Sequence, residues 1–369
     1  MKRVLTVFGT RPEAIKLAPV VERLMQRPDD FTVEVAVTAQ HREMLDQVLG
    51  LFDITPDYDL DIMVPGQSLT QVTTRVLSGL APILESSRPD FVIVQGDTTT
   101  TFAASLAAFY HRVKVAHVEA GLRTQDRLQP YPEEMSRRLT TQLSDVHFAP
   151  TVAARDHLLA EGVADGRIHV TGNTVIDALI ETMDEPYEFE DPTICKALES
   201  GRRIVLVTAH RRENWGEPMR DICAAVSMLV RTHQDIHVLF AVHLNPQVQA
   251  VVREQLGGLE RVGLLPPLEY LPFIKLMLAS EIILSDSGGV QEEAPSLGKP
   301  VLVLREVTER HEAVEAGTVL LVGTNSEHVV AAASRLLTDP SEYDRMSRAA
   351  NPFGDGNAAT RIADVLASL

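Results

Sequence analysis

Seven positions in the chain place acids, bases or small residues directly after a short apolar run: Arg11, Asp97, Glu119, His210-Arg211-Arg212, His243, Asp286-Ser287-Gly288-Gly289 and Arg305. Arg11 precedes Pro12 at the first turn of a helical pattern, with Lys16 close behind. Two cations beside a helix N-terminus suit a phosphate; the plainer alternative pairs Arg11 with Glu13 and leaves Lys16 in solvent. Asp286 to Gly289 leads into Val290-Gln291-Glu292-Glu293. Bare N–H groups and a hydroxyl there face an anion, with Glu292 or Glu293 free to bind sugar hydroxyls, unless Ser287 is simply an N-cap. Asp97, ahead of Thr98 to Thr101, is either a reactive carboxylate or an N-cap. Glu119 ends Val115-Ala116-His117-Val118, where a carboxylate without a partner is costly. Glu133 and Glu134 follow Pro132, with Arg137 and Arg138 four residues on, so spacing alone makes Glu133 an i,i+4 ion-pair member. His210, followed by two arginines, suits phosphate departure or proton donation, against a satisfied histidine with solvated arginines. His243 is a weaker candidate beside the turn at Asn245-Pro246. Cations and N–H groups serve a diphosphate and carboxylates face what it carries, which is the inventory for breaking a sugar–diphosphate bond without a metal.

Ten short apolar runs must position these residues: Val4–Phe8, Val33–Val37, Phe91–Val94, Val113–Val118, Val146–Phe148, Ile168–Val170, Ile204–Val207, Val238–Val242, Ile282–Leu284 and Val301–Leu304. They are continuous rather than alternating, as strands buried on both faces are. Helical patterns such as Ala14–Leu24 and Met135–Val146 lie between them. Strand–helix alternation predicts parallel sheets with right-handed crossovers, where ligands gather at the carboxyl ends of strands. The acidic, proline-bearing segment Glu181–Pro192 reads as the linker between two α/β units. Gly354-Asp355-Gly356 precedes a last amphipathic helix carrying Ile362, Val365, Leu366 and Leu369. The expected fold class is α/β, two Rossmann-like domains facing each other across a cleft.

The first run is followed by Gly9-Thr10-Arg11-Pro12, not GxGxxG, so no dinucleotide cofactor is expected. His311-Glu312-Ala313-Val314-Glu315 lacks the second histidine of HExxH, and no metal is expected. The 369 residues carry 34 Lys+Arg against 51 Asp+Glu, a formal net charge of −17. That balance argues against a general nucleic-acid binder and against a surface for anionic lipid, though not against a small anion in a locally basic site. Cys195 and Cys223 form neither a disulfide framework nor a CxxC pair. No run approaches the ~20 apolar residues of a membrane helix, and Val4–Phe8 is too short for a signal-peptide core. A cytoplasmic protein with no membrane partner is expected.

Phe8-Gly9-Thr10-Arg11-Pro12-Glu13-Ala14-Ile15-Lys16, Gln95-Gly96-Asp97-Thr98-Thr99-Thr100-Thr101, Val118-Glu119-Ala120-Gly121-Leu122-Arg123-Thr124, Tyr131-Pro132-Glu133-Glu134, Gly172-Asn173-Thr174, His210-Arg211-Arg212-Glu213-Asn214 and Asp286-Ser287-Gly288-Gly289-Val290-Gln291-Glu292-Glu293-Ala294 stand in this order. In this combination the chain resembles the non-hydrolysing UDP-N-acetylglucosamine 2-epimerase family along nearly its whole length. The resemblance implies a GT-B-like pair of domains, 1–172 with a returning helix at 353–369 and 173–352. It also implies a homodimer that interconverts UDP-GlcNAc and UDP-ManNAc for polysaccharide biosynthesis. Carried over by motif, Asp97, Glu119, Glu133 and His210 are catalytic. Arg11, Lys16, Ser287, Gly288, Gly289, Glu293 and Arg310 contact UDP, with Glu293 on the ribose and Leu268 and Phe273 beside the uracil.

Many members also bind a second UDP-GlcNAc as activator. The corresponding region here is Gln40, Glu43, Gly66, Glu134, Arg212 and His243. Glu43 stands where such members have Gln, Gly66 where Arg is expected, and His311 where proline is usual, so activation by substrate is expected to be weak or absent. The rival readings are a hydrolysing epimerase that releases ManNAc and UDP, a glycosyltransferase on the same scaffold, and a catalytically silent nucleotide-sugar sensor.

Overall fold

The computed structural model describes residues 1–39, 42–64, 66–124 and 126–369, with the backbone alone at 42–44. It divides into two compact units, Met1–Ile180 with Phe353–Leu369, and Glu181–Pro352.

The first unit is built on strands β1 (Lys2–Phe8), β2 (Phe31–Val37), β3 (Tyr58–Asp59), β4 (Phe91–Gln95), β5 (Lys114–Val118), β6 (Val146–Ala149) and β7 (Ile168–Val170). They lie in the order β3-β2-β1-β4-β5-β6-β7, and every pairing is parallel. Val4 is level with Val33 of β2 on one side and Phe91 of β4 on the other. Continuous apolar strands are the sequence's way of burying both faces: Leu5 and Val7 pack with Val92 and Val94 in one core. The second unit repeats the plan with β8 (Arg203–Ala209), β9 (Ile236–Val242), β10 (Val262–Leu265), β11 (Ser280–Ser285), β12 (Val301–Val303) and β13 (Val319–Leu321), ordered β10-β9-β8-β11-β12-β13. Its core gathers Val205, Val207, Phe240, Ile282 and Leu284. In each sheet the strand order reverses between two central strands, β1/β4 and β8/β11. Such switch points are where α/β sheets open for ligands.

All ten expected runs fall on strands. Three strands were not expected, β3, β10 and β13, and each is a short sheet edge. The pattern expected as a helix over Met135–Val146 is a helix at Glu133–Leu143. Ser144 leaves it extended, and Val146 opens β6, because a buried strand claims the last apolar residues. The helix Thr174–Met183 begins within the first unit, so residues 173–180 do not open the second. Asp177 on that helix accepts hydrogen bonds from the N–H groups of Ala358 and Ala359, at 3.2 and 2.8 Å, and thereby caps the final helix, Ala358–Ser368. The final helix buries Ile362, Ala363 and Leu366, whereas Leu369 is exposed. It packs against the helix Arg11–Met25, and Lys2 Nζ donates to the carbonyls of Leu366 and Ala367. Among the described residues, no helix is long and apolar enough to cross a membrane.

Candidate functional site

In the first unit, the loops after β1 and β4 are tied together by one carboxylate. Glu13 is the N3 residue of a capping box begun by Thr10. It accepts hydrogen bonds from Gly9 N (3.0 Å), Thr10 N and Oγ1 (both 2.8 Å), Thr98 Oγ1 (2.6 Å) and Thr101 Oγ1 (3.1 Å). Burial raises its pKa and the hydrogen bonds oppose that rise. The side chain that the plainer alternative paired with Arg11 thus crosses the switch point and fixes the β4 loop.

That loop presents Asp97. Thr98, not Asp97, is the N-cap of the helix Thr99–Tyr110, accepting from Thr101 N at 3.1 Å. Asp97 instead meets Arg137, whose Nη2 and Nε lie 2.6 and 2.8 Å from Oδ2. Arg137 also contacts Glu134 at 3.2 Å, and Arg138 contacts Glu134 at 2.9 Å. The i,i+4 pair is therefore Glu134–Arg138, and Glu133 is left out of it. Glu133 Oε2 is buried with no hydrogen-bond partner among the described residues.

Glu119 follows β5 in the left-handed region, φ +65°. Its buried carboxylate receives Lys16 Nζ at 2.5 Å and a short hydrogen bond from Gln95 Nε2. Lys16 is thus joined to an acid instead of standing in solvent. Arg11 is the first residue of the helix after β1. Behind the loops, His117 shares a hydrogen bond of 2.7 Å between Nε2 and the carbonyl oxygen of Gly96, and burial lowers its pKa to about 4.

The second unit has its own carboxylate tie at the β8/β11 switch point. Asp286 is fully buried. It accepts from His210 N (3.0 Å to each oxygen), Arg211 N (2.9 Å) and Asn214 Nδ2 (2.8 Å). Ser287 occupies the N-cap position of the six-residue helix Gly288–Glu293, yet its side chain makes no capping hydrogen bond. Gly288 and Gly289 open that helix, and Glu293 on it accepts from the Tyr270 hydroxyl at 2.9 Å. Leu268 and Phe273, on either side of Tyr270 in sequence, are half-buried. Arg310 reaches Glu292 at 2.8 Å. Arg305, Arg211 and Arg310 converge on Glu309, at 2.8 Å, at 3.4 Å and in a short contact. Burial pushes the Glu309 pKa up, but the arginines outweigh it and bring it down to about 2.

Of the region expected to take a second ligand, Gln40 and the Glu43 side chain lie outside the described residues. Gly66 takes φ +72°, Glu134 is buried in the ion pairs above, and Arg212 is exposed. His243 stacks on His210 with ring centroids 6.4 Å apart. Among the described residues, no group of three or more His, Cys, Asp or Glu is placed to hold a metal ion.

Reading strand ends alone missed Glu13, Gln95, Arg137, Tyr270, Asp286 as an anchor, and Glu309. Only Glu13 carried a local signal, the Thr10-x-x-Glu13 capping box.

Two parallel sheets with reactive side chains at both switch points define a two-unit α/β protein of Rossmann type. Residues 23–367 match the family model described as UDP-N-acetylglucosamine 2-epimerase. The chain is 56% identical to the UDP-N-acetylglucosamine 2-epimerase of Yersinia pestis over 369 residues, 99% of this chain and 98% of that one. It is 55% identical to the protein of the same name from Escherichia coli K12 over 377 aligned positions, with the same coverage. The crystal structure of UDP-GlcNAc 2-epimerase from Neisseria meningitidis bound to UDP-GlcNAc is 50% identical, covers both chains completely and has a TM-score of 0.90. The chain belongs to the UDP-N-acetylglucosamine 2-epimerase family.

Proposed function

We propose that the protein interconverts UDP-GlcNAc and UDP-ManNAc without net hydrolysis. The observation that carries this reading is Glu119, a buried carboxylate at a strand end in a left-handed backbone conformation, held between Lys16 and Gln95. Strain and burial of that kind collect at reacting centres. Family membership supplies the substrate.

The C2 hydrogen of a 2-acetamido sugar is not acidic enough for direct removal. In the proposed course the C1–O bond to UDP breaks first, its electron pair leaves with the diphosphate, and positive charge develops at C1. A carboxylate then takes the C2 proton and the C2–H electron pair forms the C1–C2 double bond of 2-acetamidoglucal. A proton returns to C2 on the opposite face while a diphosphate oxygen rebonds to C1. Two faces require two proton carriers, and Asp97, Glu119 and Glu133 are the carboxylates assigned to that work. Arg11, His210, Arg310 and Ser287-Gly288-Gly289 are assigned to the diphosphate, Glu293 to the ribose, and Leu268 and Phe273 to the uracil. The scheme uses neither metal nor cofactor, and the same reading makes the protein a cytoplasmic homodimer.

Purified protein incubated with UDP-GlcNAc in D₂O and followed by NMR tests this. UDP-ManNAc should accumulate, with deuterium at C2 in both nucleotide sugars. Protium retained at C2 throughout would overturn the elimination course. Free ManNAc appearing in step with UDP would establish the hydrolysing reading instead.

A further inference from the structure

The proposed reaction gives Asp286 no task, yet it is fully buried at the strand end beside β8. Three donors from the segment 210–214 close on its carboxylate: the backbone N–H groups of His210 and Arg211 and the Asn214 side chain. Asn214 is itself held by the Leu304 carbonyl at 3.1 Å, so the clasp extends to β12. His210 Nδ1 lies 3.4 Å from Asp286 Oδ1, while the side chain remains 41% exposed. A buried carboxylate on one ring nitrogen and access on the other side is the arrangement that fixes an imidazole's tautomer.

We infer that Asp286 is a positioning residue for His210, holding its Nδ1–H inward so that Nε2 is the nitrogen presented to substrate. This rests on the reading of His210 as a group at the departing diphosphate. When His210 is protonated, both nitrogens carry hydrogen, with Asp286 on the Nδ1 side. The Nε2–H then donates to a diphosphate oxygen as the C1–O bond breaks, and any proton passed there returns to Nε2 when the oxygen rebonds to C1. The other groups facing the ring work against its charge. Arg211 and Arg305 are cations nearby, and His243 stacks on the ring with Trp215 beyond it, 6.4 Å from His243. Burial lowers the His210 pKa, and Asp286 is the opposing influence.

Asp286→Asn tests the inference. The amide oxygen can still accept from the backbone, but the amide nitrogen then faces Nδ1 as a donor and favours the Nε2–H tautomer. In ¹⁵N-labelled protein, neutral wild-type His210 should carry its proton on Nδ1. The variant should show the opposite tautomer and a titration midpoint lower by about one pH unit. In kinetics, kcat should fall about 10–100-fold with KM changed less than about threefold. Combined with His210→Gln, Asp286→Asn should cost little further, because both act through one group. A wild-type Nε2–H tautomer, an unmoved His210 titration, or additive losses in the double variant would each overturn the assignment. The wild-type tautomer decides the matter if the variant does not fold. These spectra also need no turnover, so they stand even if UDP-GlcNAc is not the substrate.

Discussion

His147 is fully buried, and among the described residues neither of its ring nitrogens has a hydrogen-bond partner. It lies level with His117 on the neighbouring strand. Burial, aided by His117, Arg167, Arg123 and His169, lowers its pKa to about 3, and burial lowers that of His117 to about 4. Unfolded histidine titrates near ~6.5. Below that pH the unfolded chain takes up protons that the folded chain refuses. Stability from this pair is therefore full above pH ~6.5 and is lost as pH falls toward about 4 and then about 3. Each histidine should cost about 2 kcal/mol between pH 7 and pH 5. His147→Phe should raise stability at pH 7 by about 1–2 kcal/mol, since it removes unpartnered polar atoms, and should halve the pair's loss at pH 5. Urea titrations at the two pH values, followed by first-unit hydrogen exchange, measure both effects; an unchanged pH dependence in the variant would refute the account. At this scale the acids and bases at strand ends were legible in the sequence, because a polar residue after a buried run has few structural uses. Their partners were not. Asp97–Arg137 and Glu119–Lys16 span 40 and 103 residues, and only the fold brings them together.

The loop that carries Glu119 depends on Gly121, at φ +94°. A Cβ there would lie 2.2 Å from the carbonyl oxygen of Ala154, backbone of the helix Val152–Ala160, which cannot rotate away. Gly96, at φ +72°, is a useful contrast because a Cβ would meet nothing within 4 Å. Gly96→Ala should therefore cost only the conformational term, about 1–2 kcal/mol. Gly121→Ala adds a backbone collision, should exceed about 3 kcal/mol, and should displace Glu119, two residues away. Chemical denaturation of both variants checks the order, and equal losses would show that the helix yields. Periodicity found the central strands because β1, β4, β8 and β11 are buried on both faces and read as unbroken apolar runs. Edge strands β3, β10 and β13 pair on one side only, so Tyr58-Asp59 and Val262-Gly263 needed no such run.

Across the whole molecule, the chain's last segment belongs to the unit where it began. Phe353 is buried, and its carbonyl accepts from Asn173 N at 2.6 Å. Arg27 pairs with Asp364 at 2.7 Å, but that pair is exposed and contributes little. Docking of the final helix therefore rests on Ile362, Ala363 and Leu366, on Asp177 as a remote cap, and on the Lys2 contacts. Fully burying side chains such as Ile362 and Leu366 contributes about 1.5–3 kcal/mol each, and a buried cap adds about 1 kcal/mol. Removing residues 353–369 should thus loosen the first unit and spare the second, which keeps its own core. Trp215 is the sole tryptophan and lies in the second unit, so its fluorescence follows that unit alone. In the truncated chain the Trp215 unfolding transition should stay within about 0.5 kcal/mol of the full-length value, while hydrogen exchange in the helix Arg11–Met25 and in β1 rises at least tenfold. Asp177→Ala should produce a smaller change of the same pattern. A Trp215 transition that shifts along with the first-unit exchange would show that the two units unfold as one.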